Sequence, residues 1–384
     1  MKPFFFNSNF KTLALCLVGL SPLALTGCRY SDMAADLGKW AALALQVKPS
    51  DPALLPQGSL LAAEADTGVL RHDAKSFGIY QWNKDQSYGD GLDQEISNLG
   101  TAPAYALYFV DKAMGFPKAI VLSNNDRKIR TIVTQELMEY SVGWDAGILD
   151  SINSGKWDAY FRTFAREAKS VGEWVYYRFG YEMNGDWVSW GEKPAAFRLA
   201  WRRAWRIFKE EKATNIRWVF SPNVLWDDRT FSADILPYYP GDAFVDIVGL
   251  DGYNFGDRHS RHHRWRTYDE VFGESIAGMK KYFPEKPLWI AEIGCAEGEN
   301  KSAWISQFLQ KFNADPDIRV FIWFNEDKQY AGEPNWRIDS EPASLETFKD
   351  WAVHNRSITT YALPVGDSAY SYRPVSELRT TRRL

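Results

Sequence analysis

The sequence predicts an α/β protein, a (β/α)8 barrel of the TIM-barrel type, and three observations predict it. Short apolar runs rich in β-branched and aromatic residues recur from about residue 75 onward. Helix-period patterns separate these runs, as a parallel sheet buried on both faces requires. No Gly-rich phosphate loop follows the first run, which removes the nucleotide-binding form of the competing open, doubly wound sheet.

Taken in chain order, the candidate strands are Gly78–Trp82, Ala106–Val110, Arg130–Thr134, Trp174–Phe179, Ile216–Phe220, Phe244–Leu250, Leu288–Ala291 and Val320–Phe324. Three helical stripes lie between the later ones. Trp157, Tyr160, Phe161, Phe164, Ala165 and Ala168 share one helix face, as do Phe197, Ala200, Trp201, Ala204, Trp205 and Phe208, and then Trp304, Ile305, Phe308 and Phe312. Eight strand–helix units in about 290 residues suit the barrel.

The flanks read differently. Residues 1–27 read as a secretory signal: Lys2 and Lys11 precede an apolar run from Thr12 to Leu25 that is too short for a comfortable transmembrane helix. It closes on Leu25-Thr26-Gly27-Cys28, which resembles a bacterial lipobox, so Cys28 is the expected lipid attachment point. Residues 28–70 are then a tether, 71–355 the barrel and 356–384 a polar, Arg-rich tail. The expected address is the cell envelope, at the outer membrane or periplasmic face.

The formal net charge of −4 becomes −6 without the signal, which excludes a nucleic-acid partner that demands a basic face. Of three cysteines only Cys295 remains as a thiol, either a reactive group or a small buried filler. The 17 Trp, 19 Tyr and 23 Phe raise the prospect of a carbohydrate ligand, because sugar C–H faces stack on aromatic rings, although aromatics also fill cores.

A barrel builds its active site at the C-terminal edge of its strands. Strand 4 runs into Arg178-Phe179-Gly180-Tyr181-Glu182, and strand 7 into Ala291-Glu292. A carboxylate in an ordinary position is an ion-pair partner or a helix-cap neighbour. Two at one barrel mouth are what glycoside hydrolysis needs, one protonated to serve the leaving oxygen and one ionised. His259, His262 and His263 lie among Arg258, Arg261, Arg264 and Arg266, cations that disfavour a metal, so the run is read as a polar loop with no metal and no cofactor. Glu326 and Glu297 are the spare carboxylates near the mouth.

The segment RFGYEMNGDWVSWG (Arg178–Gly191) closely resembles the acid/base motif of glycoside hydrolase family 26, the β-mannanase family. IAEIG (Ile290–Gly294), YPGDAFVDIVGLDGYN (Tyr239–Asn254) and VFIWFNE (Val320–Glu326) resemble its seventh-, sixth- and eighth-strand motifs, in the family's order. The resemblance implies a retaining double displacement with Glu292 as nucleophile and Glu182 as acid/base. It further implies that Tyr253 hydrogen-bonds the nucleophile, that Asp251 lies beside the reacting sugar and that Arg178 orients a carboxylate. Trp323 would be a sugar platform and Trp187 a leaving-group-side aromatic, with core packing as the alternative for both. The family commonly has His where this chain has Tyr181, a departure that leaves the glycan open between β-1,4-mannan and a bacterial exopolysaccharide or β-glucan. The expectation is therefore a monomeric, lipid-anchored endo-acting glycosidase that meets a polysaccharide and a membrane. The other-class alternative is a glycan-binding lipoprotein that has lost catalysis.

Overall fold

A computed structural model describes residues 75–81, 88–226, 228–257 and 264–355. The expected signal, Cys28, the tether, the tail and the three clustered histidines lie outside the described residues. Eight parallel strands, β1 (Ser76–Gln81), β2 (Tyr105–Val110), β3 (Arg130–Gln135), β4 (Val175–Phe179), β5 (Ile216–Phe220), β6 (Ile247–Asn254), β7 (Leu288–Cys295) and β8 (Ile318–Asn325), close into a barrel in chain order. β1 pairs with β8, so the closed sheet has no edge. Helices Asp158–Ser170, Pro194–Glu210 and Lys301–Ala314 carry the three expected apolar stripes and bury them against the strands.

Period-two alternation sorts each strand into two faces. On β4, Tyr177 and Phe179 point outward onto Phe164, Phe197, Trp201 and Phe208 of the covering helices. Tyr176 and Arg178 therefore point into the barrel. There Tyr176 meets Tyr105 and Trp289, the three rings lying 5.0–5.2 Å apart between centroids and plugging the lower interior. Arg178 stands one layer higher, fully buried.

The departures from expectation that carry site residues are on β6 and β7. β6 begins three residues later than expected, after a short 3-10 turn at Asp242–Phe244, and runs on through Asn254. Asp251 and Tyr253 thus lie inside a strand. β7 likewise continues past Ala291 to Cys295, so Glu292 is a strand residue and not the first residue after one. Trp289 faces the barrel interior, and strict alternation would turn residue 292 outward. The register corrects this: Leu250 pairs with Ile290 but Asp251 pairs with Glu292, so β7 carries one extra residue and Glu292 turns inward. Re-aiming a side chain in this way is a common use of a bulge beside an active site.

Candidate active site

Arg178 is the hub of the barrel mouth. Its guanidinium donates to a carboxylate oxygen of Glu292 through Nη1 and to one of Asp251 through Nη2, all three groups being buried. Desolvation alone would lower the arginine; the two carboxylates more than offset it and hold the guanidinium firmly charged. Glu292 receives a second donor at its other oxygen, the Tyr253 hydroxyl. Gly294 makes room for that contact, since a Cβ there would stand 2.8 Å from the Tyr253 ring. Asp251 receives the Ser221 hydroxyl at 2.6 Å. Each carboxylate thus has two donors, yet burial still holds Asp251 well above the usual carboxylate range, against the pull of Arg178 and Ser221.

Glu182 is built in the opposite sense. The chain leaves β4 through Gly180 at φ +59° and then places Glu182 itself at φ +47°, a left-handed conformation uncommon outside glycine. Backbone bonds hold it there, from Glu182 N to Ser221 O and from Gly185 N to Glu182 O, each 2.9 Å. Strain of this kind persists only where surrounding structure fixes it, and it concentrates at functional sites. The carboxylate receives the Asn223 amide at 2.7 Å and the Trp187 indole N–H. Burial, then the charge of Glu292, pushes it up to about 7, while these two hydrogen bonds and Arg178 pull the other way. Glu182 therefore holds a proton close to neutrality, next to Glu292.

Replacing Asn223 by alanine removes a donor that favours the ionised form of Glu182. Its carboxyl then titrates higher, by about one unit. The alkaline limb of a pH–rate profile should move up by that amount. An unmoved limb in Asn223→Ala would show that this limb does not report Glu182.

Glu182, Asp251 and Glu292 each bring one oxygen within 4.8 Å of the others, a spacing that could grip a divalent ion. The donor set argues otherwise. Arg178 already fills the cation position against two of the three carboxylates, and a second cation would meet a buried guanidinium.

The remaining expected residues are placed as follows. Trp187 keeps an exposed portion but directs its N–H to Glu182. The Tyr181 hydroxyl points away from Glu182 and donates to Glu136 at 3.2 Å, while its ring covers the Arg178 guanidinium at 4.9 Å. Trp323 is corrected outright. It is fully buried, packs toward Phe308 on the helix layer and donates to Trp336 O at 2.9 Å, so it offers no face to a sugar. Its neighbour Phe324 has the inward parity and lies 5.9 Å from Tyr253. Glu326 accepts from Tyr330, and Glu297 from Gln329 and Asn335, so both spare carboxylates have local partners. Cys295 is buried and its thiol is pushed up by burial, which fits the filler and not the reactive group.

Ser221, Asn223 and Glu136 were not singled out in the sequence. Each lies within three residues of the end of a strand, at the edge where a barrel builds its site, and that position was the only signal available.

Residues 146–312, which contain both Glu182 and Glu292, match the family model of Glycosyl hydrolase family 26. The chain is 33% identical over 216 residues to Endoglucanase H of Acetivibrio thermocellus, covering 54% of this chain and 23% of that protein. It is 30% identical over 205 residues to Mannan endo-1,4-beta-mannosidase A and B of Caldalkalibacillus mannanilyticus, covering 51% and 35%. The chain thus spans only about a quarter to a third of the length of these two relatives. In fold it resembles a GH26 beta-mannanase from Bacteroides ovatus, with a TM-score of 0.59 at 15% identity over 78% of this chain and 95% of that one. It also resembles the catalytic domain of a GH26 endo-beta-1,4-mannanase from a Bacillus species, at 0.57 and 19% over 73% and 86%.

Proposed function

We propose that the protein is a retaining, endo-acting glycoside hydrolase that cleaves β-linkages within a polysaccharide. The observation that carries this reading is the short gap between two carboxylates: oxygens of Glu182 and Glu292 come within 4.8 Å. Retaining enzymes hold their carboxyl groups about 5–5.5 Å apart, and inverting ones about 6.5–9.5 Å apart to admit a water.

In the first step Glu292 attacks the anomeric carbon, and the glycosidic C–O bond breaks. Glu182 gives its proton to the departing oxygen. Loss of negative charge at Glu292 in the ester lowers the repulsion that helped to keep Glu182 protonated, so Glu182 is readied to act as a base. In the second step water attacks the same carbon and its proton passes to Glu182. Glu292 leaves as a carboxylate, received by Arg178 and Tyr253. Asp251 keeps Arg178 fixed and stands beside the reacting sugar.

Family resemblance and the named relatives support a β-1,4-mannan or a β-glucan, and Tyr181 in place of the common histidine keeps a bacterial exopolysaccharide among the candidates. Lipid attachment at Cys28 would hold a monomeric enzyme at the cell envelope. The test is digestion of a panel of mannans, glucans and exopolysaccharides by residues 29–384, with the products followed by proton NMR from the first seconds. Internal cleavage with the β-anomer appearing first supports the reading. An α-anomer appearing first overturns retention, and tight binding without release of any oligosaccharide favours a glycan-binding protein.

A further inference from the structure

The barrel mouth carries a row of aromatic rings that the two-carboxylate chemistry does not use. Phe109 on β2 packs edge-on against Tyr181 at 5.4 Å and against Tyr80 on β1 at 5.0 Å. Tyr80 lies 4.6 Å from Phe324 on β8, and Phe324 lies 5.9 Å from Tyr253. The row therefore runs from the residue before Glu182 round to the residue that holds Glu292. Tyr80, Phe109, Tyr181 and Tyr253 are all partly exposed, unlike Trp323.

Glu136 stands at one end of this row, the first residue past β3. It is partly exposed, and its carboxylate accepts from the Tyr181 and Tyr140 hydroxyls, one on each oxygen. Among the described residues no arginine or lysine forms an ion pair with it. Tyr140 itself is 53% exposed, on the loop that follows β3. A carboxylate offers about four acceptor positions, so two phenols leave it with spare capacity. Burial raises Glu136 to about 7, with Asp111 and Glu292 pushing in the same direction and the Tyr181 hydrogen bond and the more distant charge of Lys328 pulling against it. A structural carboxylate is normally paired with a cation; one kept near other acids with only phenols as donors is better explained by a ligand.

The charges around it limit that ligand. Glu136, Glu182, Asp251, Glu292 and Glu326 share the mouth. The nearby cations are already engaged, Arg178 with Asp251 and Glu292, and Lys328 with Glu333 at 2.7 Å. Among the described residues, a polyanionic glycan would meet excess negative charge there.

We propose that Glu136 is a specificity-determining residue that accepts hydrogen bonds from adjacent free hydroxyls of an uncharged sugar stacked on Tyr80 and Phe109, in the subsite next to the reacting one. The inference rests on the glycosidase reading for the meaning of "next to". Tyr181 orients the carboxylate and, through its ring over Arg178, ties this subsite to the reacting centre. The exposed Tyr140 hydroxyl holds the place that a sugar hydroxyl takes.

The experiment compares wild type, Glu136→Gln and Glu136→Ala by turnover on the polysaccharide that wild type cleaves best. Binding of mannohexaose and cellohexaose is measured by calorimetry alongside, with thermal unfolding as the control. The expected result is a KM or Kd raised about tenfold in Glu136→Gln and further in Glu136→Ala, with kcat changed less than threefold and no loss of Tm. Unchanged KM and Kd overturn the proposal, as does a parallel loss of kcat and Tm, which would mark a structural carboxylate. Where wild type binds oligosaccharide without cleaving it, the Kd comparison still decides the role of Glu136 while the glycosidase reading fails alone. No binding and no turnover by wild type overturns both.

Discussion

Glu292→Ala should lower kcat by about 10⁴–10⁶-fold on every natural substrate, because on the proposed retaining mechanism Glu292 forms the glycosyl-enzyme ester. Glu182→Ala should behave differently. Loss of a general acid costs about 10²–10⁴-fold where the leaving oxygen needs a proton, as a sugar hydroxyl does. An aryl glycoside with an acidic phenol needs none, so its first step should survive and a burst of phenol should precede a slow second step. Added azide should then restore turnover in Glu182→Ala with retention at the anomeric carbon. It attacks the anomeric carbon of the ester, displaces Glu292 and needs no base, giving a β-glycosyl azide. The structure gives the two residues these separate fates: Glu292 lies under two charge-stabilising donors, whereas Glu182 is raised by burial and by Glu292. Turnover by Glu292→Ala above about one per cent of wild type would place the nucleophile elsewhere.

Most of the barrel was legible because each strand is an apolar run dense in aromatic or β-branched residues, and that density is what a strand buried on both faces requires. The reading faltered where strands carry the chemistry. The ends of β6 and β7, Asp251-Gly252-Tyr253-Asn254 and Glu292-Ile293-Gly294-Cys295, interrupt the apolar pattern with acids and glycines, so the strands looked shorter than they are. The two glutamates were found because carboxylates at a barrel mouth have few structural uses and because their neighbours carry a family resemblance. Trp323 was misplaced for a reason of parity. Motif likeness locates a residue along the strand, but only the register tells which of Trp323 and Phe324 faces the cleft. Asn223 and Glu136 needed tertiary structure, since each is defined by what crosses to it from another strand.

Glu182→Gln should stabilise the fold above neutral pH while abolishing efficient cleavage of sugar leaving groups. The carboxyl titrates near 4.5 when exposed and near about 7 in the folded protein. The folded state therefore favours the protonated form. The stability this group contributes is fully present below about pH 4.5 and is lost as the pH rises through about 7, because ionisation is easier in the unfolded chain. The shift corresponds to about 3 kcal/mol between those limits. Glutamine stays neutral and undergoes no such loss. It does carry an N–H₂ that faces donors at Asn223 or Trp187, a mismatch that costs stability but does not vary with pH. The difference between the unfolding free energies of variant and wild type is thus the measured quantity, and it should grow by about 3 kcal/mol from pH 4 to pH 8.5. Wild-type activity on polysaccharide should fall as the pH rises through about 7, where the folded protein gives up the proton delivered to the leaving oxygen. Parallel stability curves for the two proteins would mean that Glu182 holds no extra proton near neutrality, and the general acid would then have to be sought among Asp251, Glu136 and Glu326, the other carboxyls of the mouth that burial raises.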